Sequence, residues 1–295
     1  MSNFSDFISS GGSAGGADKL NLLSPASGLK IVLRSAYTYT PSINCTAVVT
    51  LIGAGASGYA LANYNIYRCA GGGAGGVCQS ELSLTAGTSY TFAVGAGGTS
   101  NGAAGGNTTL TGSDITNMTA NGGAAPSLSG GNAALTVAGG TATGGNICNF
   151  TGGSSIINNG VTHGAGGGGA CGFFAAGLSS TQPSNAGVAG GGIEAFPTDL
   201  IANGDIFTTG TGGSSGDAQY YGGYNFAVAG DGSFGCGGGG AYVSTNRSNS
   251  SGYVNGGDGG IGGGGGGAVG YNANTSYSIS ASAGLGGNGL VLIEF

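Results

Sequence analysis

Gly53-Ala54-Gly55-Ala56-Ser57-Gly58 follows the strand-like run AVVTLI and matches the Gly-x-Gly-x-x-Gly spacing that cradles a dinucleotide pyrophosphate. That chemistry needs a helix N-terminus behind the glycines and an acid about 20 residues further on to hold the ribose. Here the poor helix former YALANYNIYRCAGGGAGG follows, and the first acid is Glu81. In a chain with 73 glycines the spacing arises by chance, so no cofactor is expected. His163 and Cys171 offer a base and a thiol, but no third group is indicated to orient them. The acids Glu194, Asp199, Asp205, Asp217, Asp231 and Asp258 are too dispersed for a general acid/base pair. With one histidine and no Cys-x-x-Cys pair, no metal site is expected either. GGDGGIGG also departs from the Gly-Gly-x-Gly-x-Asp repeat of calcium-binding β-rolls. An enzyme is the class the residues support least.

Recognition is better served. Tyr220, Tyr221, Tyr224 and Phe226 cluster in one segment, and residues 241–253 add Tyr242, Asn246, Arg247 and Tyr253. Aromatic rings beside amide and hydroxyl groups bind sugars or flat apolar surfaces, and Tyr supplies contact area at low entropic cost. The same tyrosines could instead cap the ends of whatever scaffold carries them. His163 is another polar side chain for such an end.

The scaffold that must position them is unusual. Glycine loses more conformational freedom on folding than any other residue, so its abundance requires a return. Close approach of backbone to backbone is that return. Only 5% of residues are charged, 39% are apolar and the net charge is −6, which describes a folding chain outside the disordered class. Five prolines and no sustained Gly-X-Y period exclude collagen. The basic residues Lys19, Lys30, Arg34, Arg68 and Arg247 are scattered, so nucleic acid is not an expected partner. The N-terminus lacks a basic and apolar leader, and no apolar run nears the roughly 20 residues of a membrane span. Synthesis in a cytoplasm is expected. Six cysteines there serve as small buried hydrophobes, and disulfides formed after release remain an alternative.

Alternation and β-branched residues predict strands near 29–34 and 45–52. Residues 77–84 and 88–94 flank Thr85-Ala86-Gly87 and predict a hairpin. Strand character returns at 289–295, and strands at both ends of the chain are expected to pair. Between 95 and 288 no helical period persists. A coil of that length is unacceptable in a folded domain. Polyglycine II fits instead: a left-handed helix with about three residues per turn, whose backbone groups bond to neighbours on several sides. Gly262–Gly267 and Gly237–Gly240 would be interior, and segments such as 217–229, 241–255 and 268–280 would turn at the ends. The expected fold is thus all-β/irregular with almost no α-helix. An arm at 1–28 precedes a glycine-rich domain at 29–295. Its small β-sandwich base spans 29–98 plus 289–295, and its polyglycine II bundle about 99–288.

Tyr37-Thr38-Tyr39-Thr40-Pro41, CTAVVTLIGAGASG, the stretch AGGGAGGVCQSELSLTAGTSYTFAVGAGG at 70–98 and GGNGLVLIEF at 286–295 closely resemble a glycine-rich domain of bacteriophage tail-fibre and related virion proteins. Asp6-Phe7-Ile8-Ser9-Ser10-Gly11-Gly12 also looks like the start of such proteins. The resemblance implies a virion location and a fibre-tip adhesin. Loops at the end of a polyglycine II scaffold would contact a bacterial surface glycan or outer-membrane protein. Residues 1–28 would dock on other virion proteins, and a homotrimer is compatible with it. Two alternatives stay open: an architectural component such as a capsid decoration or head fibre, and, more remotely, an ice-binding face.

Overall fold

A computed structural model describes residues 28–62, 67–126, 129–130, 135–157, 176–182, 219–221, 224–232, 234–245, 252–272 and 279–295. His163, Cys171, Asn246, Arg247, the acids from Glu194 to Asp217, the run at 164–172 and the arm before residue 28 lie outside them. The described residues are all β and extended chain, without helix.

One sheet comprises Lys30–Leu33 (β1), Cys45–Ile52 (β3), Val77–Leu84 (β6), Cys148–Phe150 (β13) and Leu290–Glu294 (β22), in the order β1-β22-β3-β6-β13. A second comprises Tyr37–Tyr39 (β2), Tyr90–Ala93 (β7), Thr108–Thr111 (β8), Met118–Ala120 (β9) and Ala142–Thr143 (β12), in the order β12-β9-β8-β7-β2. Alternate residues turn inward from both, so Ile31, Val49, Leu51, Leu82, Val291 and Ile293 meet Tyr90, Phe92, Leu110 and Met118 in one core. Burial of each such side chain contributes about 1.5–3 kcal/mol. The expected pairing of the chain ends is present, because β22 lies between β1 and β3 with Ile31 opposite Ile293 and Thr50 opposite Leu292.

The expected hairpin is not. β6 pairs with β3 and β13, whereas β7 pairs with β2 and β8 in the facing sheet. Over 80–84 and 90–93 each strand buries alternate residues on one face, and placing those faces opposite each other requires the chain to cross the sandwich at 85–89. Gly87 permits the crossing with φ +78°, its N–H donating to the Pro41 carbonyl. The corner is tied by Tyr90, whose hydroxyl accepts from Thr85 N (2.7 Å) and donates to Asp114 Oδ2 (2.9 Å). Hydrogen bonds from Thr85 and Tyr90 hold the Asp114 carboxyl below its ordinary pKa. A depressed carboxyl pKa contributes stability above the unfolded value of about 3.9, lost as pH falls through the folded value. Asp114→Asn should therefore flatten the stability–pH curve below about pH 4, measured by urea unfolding at stepped pH.

Strand character also does not wait until residue 289. β2, β8, β9, β12 and β13 join the sandwich, so its strands extend to residue 150. These strands are short and carry few large apolar residues: β8 buries Leu110 and β9 buries Met118 and Ala120.

Smaller sheets occupy the other end. They contain Ala60–Ala62 (β4), Tyr67–Arg68 (β5), Ser129–Gly130 (β10), Leu135–Val137 (β11), Ser155–Ile157 (β14) and Ser180–Gln182 (β15). Gln219–Tyr221 (β16), Tyr224–Val228 (β17), Ala241–Thr245 (β18), Gly252–Asn255 (β19), Ala268–Asn272 (β20) and Ile279–Ser282 (β21) complete them. Their orders are β10-β5, β11-β14-β15, β16-β17-β19-β21 and β18-β20-β4.

Glycine-rich rods at 53–59, 70–76, 138–141, 151–154 and 283–289 run between the sandwich and these sheets. Along the first rod, the N–H groups of Gly53, Ala56 and Tyr59 donate to the carbonyls of Gly76, Gly73 and Ala70. Ala54 and Ser57 donate to Gly106 and Ala103, and Gly55 and Gly58 to Gly287 and Gly284. Successive N–H groups thus point to different neighbours and return to the same one at every third residue. The rod at 70–76 does likewise, with Gly72 and Gly75 donating to Gly265 and Gly262 and with Gly73 and Gly76 donating to Ala124 and Asn121. Gly237–Gly240 and Gly262–Gly267 are buried, as expected. A methyl on Gly55 would overlap the Gly263 carbonyl, and one on Gly264 the Gly72 carbonyl.

Two rods double back. The chain turns at 234–235 and again at 261–262, with φ +69° at Gly235 and +73° at Gly262. Phe234 and Ile261 at these turns pack against Ile52, Val77 and Leu290 of the sandwich. The two doubled units are copies. GDGSFG at 230–235 and GGGGA at 237–241 return as GDGGIG at 257–262 and GGGGA at 264–268. Their parallel pairing keeps an offset of 27 residues, which recurs where Asp231 Oδ1 accepts from Asp258 N and Asp258 Oδ1 from Leu285 N.

Candidate functional site

The repeat places Phe226 and Tyr253 on neighbouring strands of one sheet, which Tyr220, Tyr221 and Tyr224 share. Tyr220 and Tyr221 lie in β16, Tyr224 and Phe226 in β17 and Tyr253 in β19, with Tyr221 opposite Tyr224 and Phe226 opposite both Gln219 and Tyr253. Tyr220 shares a row with Asn225, Gly252 and Ile279. Tyr242 belongs to β18 of the neighbouring sheet, and so is not in this row.

Alternation divides the sheet into two faces. Ala227, Val254 and Ile279 are buried with Ala60, Ala241 and Ala268, which packs the sheet on β18-β20-β4 through small side chains. Close packing explains Gly270, where a methyl would press on Ile279. The opposite face carries Phe226, Val228, Tyr253, Asn255, Ser280 and Ser282. Val228 is 53% exposed and Tyr253 43%, values that place both ring and aliphatic surface in water. Phe226 and Tyr253 stack with centroids 5.7 Å apart and planes 16° from parallel. Offset stacking of this kind is worth about 0.5–1.5 kcal/mol beyond burial. Val228, Asn255, Ser280 and Ser282 are not among the candidates read from sequence. The signal that finds them is YNFAV, GYVN and ISAS recurring at the repeat offset.

The Gly53–Gly58 segment is built differently from a phosphate cradle. Each N–H from Gly53 to Gly58 is donated to another stretch of backbone, and β4 follows it. No N–H there is left to face an anion.

Among the described cysteines, Cys69, Cys78 and Cys236 are buried and Cys45 and Cys148 half-buried, all as thiols. Burial pushes the Cys78 thiol up to about 12 and raises Cys69 as well. Thiolate is the reactive species, so these two are inert in the fold. At pH 8, iodoacetamide should label Cys45 and Cys148 well before Cys69 and Cys78, as peptide mass spectrometry over a time course would record. The described residues contain no group of three or more His, Cys, Asp or Glu side chains placed to hold a metal.

A glycine-rich domain family model matches residues 32–295, taking in the sandwich, the rods and the small sheets. The chain belongs to this glycine-rich domain family. Comparison with curated proteins gives no match.

Proposed function

We propose that the chain is a phage virion attachment protein, a tail-fibre or fibre-tip adhesin that holds a recognition surface away from its anchoring point. The glycine rods are the polyglycine II form, and their threefold alternation of hydrogen-bond partners supports that assignment. The polarity of the molecule carries the functional reading. Gly28 N donates to the Phe295 carbonyl, so residues 1–28 join the fold at the sandwich edge. The exposed aromatic face stands at the other end of the rods. Rods of up to about seven extended residues, at about 3 Å each, separate the two. Stiffness comes from backbone bonds worth about 0.5–1.5 kcal/mol each. Residues 1–28 then bind other virion proteins, and the far sheets and their connecting loops meet a bacterial surface glycan or outer-membrane protein.

The test is adsorption. Purified full-length chain should bind susceptible cells and not resistant ones, and antibodies to it should block adsorption of the particle. Absence of both effects, with labelling confined to the capsid shell, would favour an architectural virion protein instead.

A further inference from the structure

The row Phe226, Tyr253, Ser280 runs across the outer face of the far sheet to its edge strand β21. Phe226 covers one face of the Tyr253 ring. Tyr253 is nonetheless 43% exposed, and on the side away from Phe226 the row continues on β21, the edge strand, with a serine. Stacking therefore stops one strand short of the edge, leaving a slot about 4.8 Å wide. Ser280 lies under it, Ser282 and Asn255 are the next residues along on the same face, and all three are exposed or half-buried.

We infer that this slot is a subsite for one pyranose ring of a neutral glycan, stacked on the free face of Tyr253 and hydrogen-bonded by Ser280, Ser282 and Asn255. This rests on the attachment reading and names its ligand class and residues. A ring quadrupole presents a negative face, which attracts the C–H bonds lining one side of a pyranose. Hydroxyl and amide groups beside it supply both donors and acceptors to sugar hydroxyls. Among the described residues of the sheet there is no Lys or Arg to pair an acidic sugar or phosphate, and the charges that follow β17 and β19 are the carboxylates of Asp231 and Asp258. A protein partner fits less well, since stable interfaces bury about 800 Å² per side and this slot is one strand wide.

Saturation-transfer NMR of the full chain with methyl β-glucoside, methyl β-galactoside and methyl β-N-acetylglucosaminide tests the inference. At least one should receive saturation on the C–H protons of one ring face. Tyr253→Ala should weaken that glycoside about tenfold, the effect of losing an aromatic anchor. Tyr253→Phe should hold within about twofold, and Ser280→Tyr should abolish binding by filling the slot. No transfer to any of the three glycosides, or equal transfer in Tyr253→Ala with an unchanged unfolding midpoint, overturns it. If the chain still binds susceptible cells in that case, the subsite is wrong and the attachment reading stands. If a glycoside binds and cells do not, the reverse holds.

Discussion

Gly55→Ala should cost about 3 kcal/mol or more, or prevent accumulation of folded protein. Gly55 donates its N–H to the Gly287 carbonyl, and Gly287 N donates to Gly263 O, the atom an alanine methyl at 55 would overlap. Relief requires moving one of these rods, and every rod is bonded to several others. The neighbours Ala54 and Ala56 are fully buried and carry methyls without conflict, so size alone does not decide the outcome. Exchanging Gly55 and Ala56 leaves composition unchanged and should be as damaging as Gly55→Ala. Gly87→Ala is the control: φ is +78° and nothing lies within 4 Å, so its cost is only the left-handed backbone, about 1–2 kcal/mol. Urea unfolding of the three variants orders them. A Gly55→Ala chain no less stable than Gly87→Ala would show that the rods are not packed backbone on backbone.

Removal of residues 290–295 should abolish folding. β22 is the last strand in sequence but an inner strand of its sheet, pairing with β1 on one side and β3 on the other. Its loss strips ladder bonds from both neighbours and removes Val291 and Ile293 from the core. It also takes Leu290 from the cluster on which Phe234 and Ile261 close their turns, so the doubled rods lose their support. Deleting two buried branched side chains alone costs about 4–10 kcal/mol, comparable with the stability of a whole domain. The truncated chain should be insoluble or lack a cooperative thermal transition by circular dichroism. A cooperative transition in that chain would mean the sandwich holds without its inner strand.

The strands at 30–33, 45–52, 77–84 and 290–294 are legible in the sequence, because each carries the β-branched and apolar residues its buried positions need. β8 and β9 are not legible from apolar pattern. Thr108 is buried with its hydroxyl donating to the Ile52 carbonyl, so a polar letter fills a core position. The hairpin at 85–87 misleads because a Gly-containing turn looks the same whether the strands beside it share a sheet or face each other. Of the site, Tyr253 and Phe226 are visible as aromatic residues, but their stacking depends on a 27-residue register between distant strands. The repeat itself stands in GDGSFG and GDGGIG, hidden among so many other glycines.

Composition and local alternation are enough to establish that this chain is β-rich, acidic and built for backbone contact. They also establish that Gly237–Gly240 and Gly262–Gly267 are interior, because a run without side chains has no other way to offset its entropy. Which carbonyl each N–H meets, which end of the rods holds the sandwich and which residues of the small sheets face water are settled by the packed fold alone. Backbone groups are identical from residue to residue, so no letter records their partners. Those partners are fixed by the strands that the core holds in register.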